Sequence, residues 1–295
     1  MLISLPKVRG AYRYNISMSK MTWLNVGGQA DVLFKPHDID DLRYLIRNAE
    51  LPISVIGATS NIIVRDSGIR GITVKLGKEF AYIKYKGNNS IVIGGAALLS
   101  NLAYFAGERQ IGGLEFLAGI PGTVGGGIEM NAGAYGSDIA SIMQSVKAIS
   151  LEDGNIYEFS SREMGYFYRG HSLKGKWVFI EAEFKGVNSE YEIISKRLEE
   201  IIDKKNESQP TRGKTAGCIF KNPQNYQAWQ LIDKSGCRGL NVGGAKISEK
   251  HCNFLLNCNN ATASDLESLG NRVRDIVKDQ FNVELEWEIR VIGNY

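Results

Sequence analysis

The stretch "FLAGIPGTVGGGIEMNAGAYG", from Phe116 to Gly136, carries seven glycines. A core strand does not need them, and each one weakens a helix by about 1 kcal/mol relative to alanine. So dense a run of bare backbone implies that something approaches the chain where a Cβ would obstruct it. Backbone amides from Gly122 to Gly127, with the Thr123 hydroxyl, suit an anion. Close packing of helix and loop is the competing explanation.

A second stretch, "VIGATSNIIV", places Gly57, Ala58, Thr59, Ser60 and Asn61 at the exit of a buried strand. Consecutive amides there can point at an anion, and the Ser and Asn side chains add donors. Taken alone, a tight turn between strands is the plainer reading. Two such loops on one chain suit a diphosphate-linked cofactor. The better-known phosphate loops are not supported. "GHSLKGK" (Gly170–Lys176) matches GxxxxGK but is followed by Trp177, where Ser or Thr would hold a metal, and it lies between strands. No GxGxxG follows a strand at the right place for a Rossmann site.

The chain of 295 residues is long enough for two or three compact units. Its formal charge of +3 argues against a nucleic-acid or membrane-surface binder. No apolar run is long enough to span a bilayer, and "MLISLPKVRGAY" does not read as a secretory signal, so a cytoplasmic protein is expected. None of Cys218, Cys237, Cys252 and Cys258 forms a CxxC pair, and His37, His171 and His251 are scattered, so neither disulfide nor metal is expected.

Periodicity predicts helices at Asp38–Glu50 (with Leu42, Leu45 and Ile46 on the buried face), 98–111, 191–209, 225–236 and 263–281. Strands are predicted at 51–57, 71–76, 89–97, 145–152, 156–160 and 177–184, with a closing strand at 284–293. The mixture lacks strict βαβα alternation. The charged helix after the long strand places a domain seam near Gly186–Ser189. Three further residues look ordinary in isolation. Cys218 in "TAGCIFKNP" reads as a structural cysteine, Arg169 in "YFYRGHS" as a surface arginine, and Glu288 in "LEWEIR" as an exposed strand residue sharing a face with Glu286.

Read in order, "TWLNVGGQAD", "VIGATSN", "GLEFLAGIPGTVGGGIEMNAGAYG", "YRGHS", "AGCIFKNP", "AWQLIDKSGCRGLNVGGAKISEKHCNF" and "LEWEIRVIG" resemble the UDP-N-acetylenolpyruvoylglucosamine reductases, in their shorter subtype. The resemblance runs from about Thr22 to Gly293. It implies an α+β fold with a vanillyl-alcohol oxidase-like (PCMH-type) FAD-binding domain of two lobes, 18–76 and 77–187 within 1–187. A C-terminal α+β substrate domain, 188–295, follows, its last strand at 284–293 carrying a catalytic Glu. It further implies non-covalent FAD, with NADPH as co-substrate, and reduction of UDP-N-acetylglucosamine enolpyruvate to UDP-N-acetylmuramate in peptidoglycan precursor synthesis. FAD contacts are implied for Gly57, Ala58, Thr59, Ser60, Asn61, Gly122, Thr123, Val124, Gly125, Gly126, Gly127 and Asn131, with amides holding the diphosphate and no lysine nearby. Arg169 matches the arginine that stabilises the substrate carboxylate, and Glu288 the catalytic glutamate, which would act protonated. Lys221 and Asn222, with Tyr168 and Arg212, match the region of the substrate's UDP moiety.

Two positions depart from the family pattern. Cys218 stands where serine donates a proton in "GSxFKNP", and a thiol, with a reference pKa of about 8.5, remains a usable acid. Thr59 stands where glycine is common in "GxGSN". The expected partners are small molecules only, with no nucleic acid, no membrane and a monomeric chain. Two alternatives remain: an FAD-dependent oxidase on the same scaffold, and a non-catalytic flavin-binding protein.

Overall fold

Helix Ile39–Asn48 begins where Asp38 leaves an extended segment and accepts a hydrogen bond from the Asp41 amide at 2.9 Å. It buries Leu42, Leu45 and Ile46, the face its periodicity predicts. The computed structural model describes residues 5–294. The architecture is α+β, as expected. The chain divides into two compact units. One holds the residues up to Arg13, Leu33–Ala58 and Gly71–Lys204; the other holds Tyr14–Val32, Thr59–Arg70 and Lys205 onward.

The first unit is built on a five-stranded antiparallel sheet. Its spatial order is Ile156–Ser160, Met143–Ser150, Trp177–Lys185, Ser90–Gly94, Ile83–Gly87. A bulge interrupts the central pairing: Lys147 opposes Glu181, but Ala148 opposes Phe179. The extra residue, Ile180, shifts the side-chain alternation, so Phe179 joins Ala182 and Phe184 in one apolar cluster. Helix Leu99–Gly107 adds Leu99, Leu102, Ala103 and Ala106 to that cluster, and helix Tyr191–Ser208 adds Ile194 and Leu198. Elsewhere in this unit, Ile53–Ile56 pairs in parallel with Ile72–Lys75 and leads into the Gly57 loop. Val187–Asn188 pairs with Ile111–Gly112.

The second unit contains a three-stranded antiparallel sheet of Asn241–Val242, Ala245–Ile247 and Leu255–Asn257. Helix Ala263–Phe281 covers it, and the predicted bounds match. A capping box at Thr262 and Asp265 starts this helix, and Asn282 at φ 53° ends it. Two segments distant in sequence pack here. Leu24, Val26 and Ile63 enter the same core as Leu266, Leu269 and Val273. Asp66 binds the Ala263 and Ser264 amides, each at 3.0 Å, and Arg65 pairs with Glu267 at 2.9 Å. The closing strand is shorter than predicted. Only Arg290–Ile292 is regular, paired in parallel with Ile62–Val64. Residues 284–289 keep the in-and-out alternation but run beside the irregular segment Ile219–Lys221, which cannot sustain a ladder.

Candidate active site

The glycine-rich stretch forms a short helix, Val124–Met130, with Thr123 as its N-cap. The Thr123 hydroxyl accepts from the Gly126 amide at 3.3 Å. The Val124 and Gly125 amides donate to the Ala97 and Gly95 carbonyls at 2.8 and 2.9 Å, and the Gly127 amide to Thr123 at 2.9 Å. Four of the amides expected to face an anion are therefore engaged within the unit. The glycines divide accordingly. A Cβ at Gly125 would stand 3.0 Å from the Phe179 carbonyl, at the sheet bulge, and one at Gly127 would stand 2.9 Å from Leu99. Gly125 lets the helix touch the sheet, and Gly127 lets it touch helix Leu99–Gly107. Gly126 is exposed, with nothing nearer to its Cβ position than the Thr123 hydroxyl at 3.4 Å. Gly122 has a φ of +136°, which an L side chain rarely adopts.

Gly57 meets this loop directly. A Cβ there would lie 2.5 Å from the Thr123 hydroxyl oxygen. The Gly57 carbonyl accepts from the Lys75 ammonium at 2.5 Å. The sequence reading has no lysine beside these loops. The register of the parallel pair, Ile56 opposite Lys75, brings one in. Thr59 adopts φ +58°, the left-handed region that explains why glycine is common here. Its hydroxyl donates to the Met21 carbonyl at 2.6 Å, which compensates for part of the strain. Ser60 is buried.

Arg169 occupies the apex of a tight hairpin in which Phe167 opposes Gly170 and Tyr166 opposes His171. Its φ is +59°, a strained conformation for a side chain of this size. Its guanidinium donates to the Gly133 carbonyl at 2.8 Å and lies 5.0 Å from the exposed Tyr168 ring. Asn131, expected to touch the cofactor, ties this hairpin down. Its amide nitrogen donates to Phe167 and Asp138 and its oxygen accepts from Ala140. His171, half-buried in the hairpin, lies 3.4 Å from the Glu129 carboxylate.

In the second unit, Cys218 and Glu288 come together through the backbone. The amides of Glu288 and Ile289 both donate to the Ile219 carbonyl, at 2.7 and 3.3 Å. Two successive amides on one carbonyl make a local bulge, a device that redirects a side chain. Asn61 braces the bulge from the other side, donating to the Glu288 carbonyl at 3.0 Å and accepting from the Arg290 amide at 3.1 Å. Asn253 fixes the Cys218 segment. It bonds both backbone groups of Phe220, at 3.0 and 2.8 Å, and its carbonyl accepts from Ile219. Asn253, in the "HCNF" segment, was not among the residues the sequence pointed to. Lys221 lies 3.3 Å from the Glu286 carboxylate. The Asn222 side chain accepts from the Ala228 amide at 3.0 Å, at the start of helix Ala228–Lys234. Arg212 stands apart, exposed on a cleft of about 620 Å³ with Lys250 and Leu256. All four cysteines are free thiols. Among the described residues, no helix is long and apolar enough to cross a membrane.

Comparison with known proteins decides the family. Residues 30–160 match the profile of an FAD binding domain, and residues 209–292 that of the UDP-N-acetylenolpyruvoylglucosamine reductase C-terminal domain. A UDP-N-acetylenolpyruvoylglucosamine reductase of Wolbachia sp. subsp. Drosophila simulans (strain wRi) is 81% identical over 295 residues, covering 100% of both chains. The chain belongs to this reductase family. A relative from Anaplasma marginale (strain St. Maries) is 56% identical over 290 residues, covering 98% of this chain and 96% of its own. The crystal structure of UDP-N-acetylenolpyruvylglucosamine reductase from Thermus caldophilus superposes with a TM-score of 0.84 at 33% identity, covering 97% of this chain and 100% of that one. As a member of the reductase family, the chain is an enzyme, an oxidoreductase and a flavoprotein, and the family's pathway is peptidoglycan synthesis. The first unit fits an FAD in one respect that the residues themselves display: Gly57 and Thr123 meet where no Cβ fits, beside a half-buried lysine.

Proposed function

We propose that this enzyme reduces UDP-N-acetylglucosamine enolpyruvate to UDP-N-acetylmuramate, using NADPH and a non-covalent FAD. The observation that carries the reading is the Cys218–Glu288 arrangement: one carbonyl, that of Ile219, holds the Glu288 bulge directly next to the thiol residue. Bound FAD would supply the hydride-transfer chemistry that links NADPH to the methylene carbon of the enolpyruvyl group. The residues of this chain handle the charge and the proton. Arg169 pairs with the substrate carboxylate as negative charge spreads onto it, and its planar fork suits two parallel hydrogen bonds. The Gly133 carbonyl holds that guanidinium in place before substrate arrives. Glu288, protonated, donates a hydrogen bond to the same developing enolate. Cys218 gives its proton to the α-carbon, and solvent then returns one to the sulfur. One hydride and one proton saturate the double bond. Lys221, Asn222, Tyr168 and Arg212 contact the UDP portion, and the Gly57–Asn61 and Gly122–Gly127 loops with Asn131 form the FAD seat. The FAD domain occupies 1–187 with two lobes, and the substrate domain 188–295.

An anaerobic visible spectrum tests this. The flavin band should bleach with NADPH and return on adding the enolpyruvyl sugar nucleotide. Return with O₂ but not with the sugar nucleotide would instead indicate an oxidase. Failure of NADPH to bleach the band would indicate a binding protein.

A further inference from the structure

We propose that Lys75, reinforced by Lys35, is the cationic element that holds the diphosphate of FAD. The proposal rests on the FAD reading of the glycine loops and adds what those loops lack.

Topology puts Lys75 at the right end of the right strands. Ile53–Ile56 and Ile72–Lys75 run parallel, and ligands of such pairs collect beyond the carboxyl ends of the strands. Gly57 continues the first strand and Lys75 ends the second. The ammonium lies 2.5 Å from the Gly57 carbonyl, and Gly57 in turn abuts Thr123. Lys75 therefore stands where the two glycine loops meet.

Its surroundings leave its charge unbalanced. The ammonium is half-buried, and among the described residues no carboxylate pairs with it. The charge acting on it is that of Lys35, which has the same sign. A carbonyl supplies a dipole but no counter-charge. Burying a cation beside a second cation is unfavourable unless an anion completes the site. Burial, and then the Lys35 charge, pull the Lys75 pKa below its ordinary value, as expected of a cation awaiting its partner.

The Gly122–Gly127 loop cannot supply the missing balance alone. The Val124, Gly125 and Gly127 amides bond backbone carbonyls, and the Gly126 amide bonds the Thr123 hydroxyl. A dianionic diphosphate placed against Gly57 needs a charged donor, and Lys75 is already there. Lys35 adds favourable long-range charge, because the screening length at 0.1 M salt is about 10 Å.

The test is FAD affinity, followed by flavin fluorescence on protein stripped of its flavin and titrated over a range of salt concentrations. Lys75→Gln should weaken FAD binding by about 10- to 100-fold, the usual range for a lost charge-assisted hydrogen bond. It should also flatten the salt dependence, while Lys75→Arg keeps most of the affinity. Riboflavin, which has no phosphate, should bind both proteins alike. Unchanged FAD affinity and salt slope in Lys75→Gln overturns the proposal and leaves the FAD reading intact. Altered use of NADPH with unchanged FAD affinity also overturns it. A wild-type protein that binds no FAD overturns both. If Lys75→Gln does not fold, amine acylation of the wild-type protein decides, with sites read by mass spectrometry. Lys75 should be labelled without FAD and protected with it, and equal labelling refutes the assignment.

Discussion

The contact between Gly57 and Thr123 can be measured as a coupling. In Gly57→Ala the new methyl would lie 2.5 Å from the Thr123 hydroxyl oxygen, roughly 1 Å inside ordinary contact distance. The hydroxyl must rotate away and release the Gly126 amide, so the helix Val124–Met130 loses its cap at a cost of about 1 kcal/mol. Replacing glycine also narrows the unfolded ensemble, which stabilises by about 0.4–1 kcal/mol where the backbone is compatible. Gly57 is not in the left-handed region, so that gain applies. The net cost of Gly57→Ala in the wild-type background is then small, at most about 1 kcal/mol destabilising. Thr123→Ala alone also costs about 1 kcal/mol, through the same cap. In the double variant the cap is already gone, and the remaining contact, with the Thr123 Cβ at 3.7 Å, is ordinary. Gly57→Ala should therefore become stabilising in the Thr123→Ala background, with a coupling of about 1 kcal/mol. Urea denaturation of the four proteins, stripped of flavin so that ligand linkage does not enter, measures the cycle. Additivity within about 0.3 kcal/mol would refute the contact and the junction of the two loops with it.

Three further outcomes are expected. Cys218→Ser should retain substantial turnover, whereas Cys218→Ala should lose about 100-fold or more, the usual contribution of a positioned acid, while NADPH still bleaches the flavin; proton incorporation at the α-carbon is followed in D₂O. Thr59→Val keeps the branched side chain at φ +58° but leaves the Met21 carbonyl without its donor, so it should destabilise by about 1–3 kcal/mol in thermal melts; Thr59→Asn, better suited to this backbone, should cost less. His251, half-buried against Phe254, has its pKa lowered by burial, and its Nδ1 accepts from the Asn253 amide. The unfolded imidazole titrates near about 6.5, so the stabilising difference is complete above that pH and is lost as pH falls through the lower folded value. His251→Gln should flatten that acid limb in urea midpoints.

Helices were the most legible part of the sequence, because their ends are local. Thr262, Asp265 and Asn282 mark both ends of Ala263–Phe281 without help from tertiary contacts. What depends on distant partners was less legible. Nothing local to Leu24, Val26 or Asp66 indicates that those segments pack against Ala263–Phe281. The closing strand shows the same limit. Its alternation was correct, but whether it forms a ladder depended on Ile219–Lys221, which makes one antiparallel bridge, Phe220 to Trp287, beside the bulge. Lys75 was invisible for a related reason. It lies 18 residues from Gly57, and only the parallel register makes them neighbours.

The seven-glycine stretch answers two demands at once. Gly125 and Gly127 admit the sheet bulge at Phe179 and the Leu99 side chain, so removing their hydrogen-bond partners or adding a Cβ would act on packing. Gly57, from outside the stretch, brings the second loop against Thr123. A run of glycine amides is a sufficient anion site only while those amides are available, and here those of Gly125, Gly126 and Gly127 are already bonded. Dense glycine therefore explains how closely the backbone elements approach one another, while the charge needed for a diphosphate must come from a side chain. In the first unit, the half-buried lysine that meets the Gly57 carbonyl at the carboxyl end of a parallel strand meets that need.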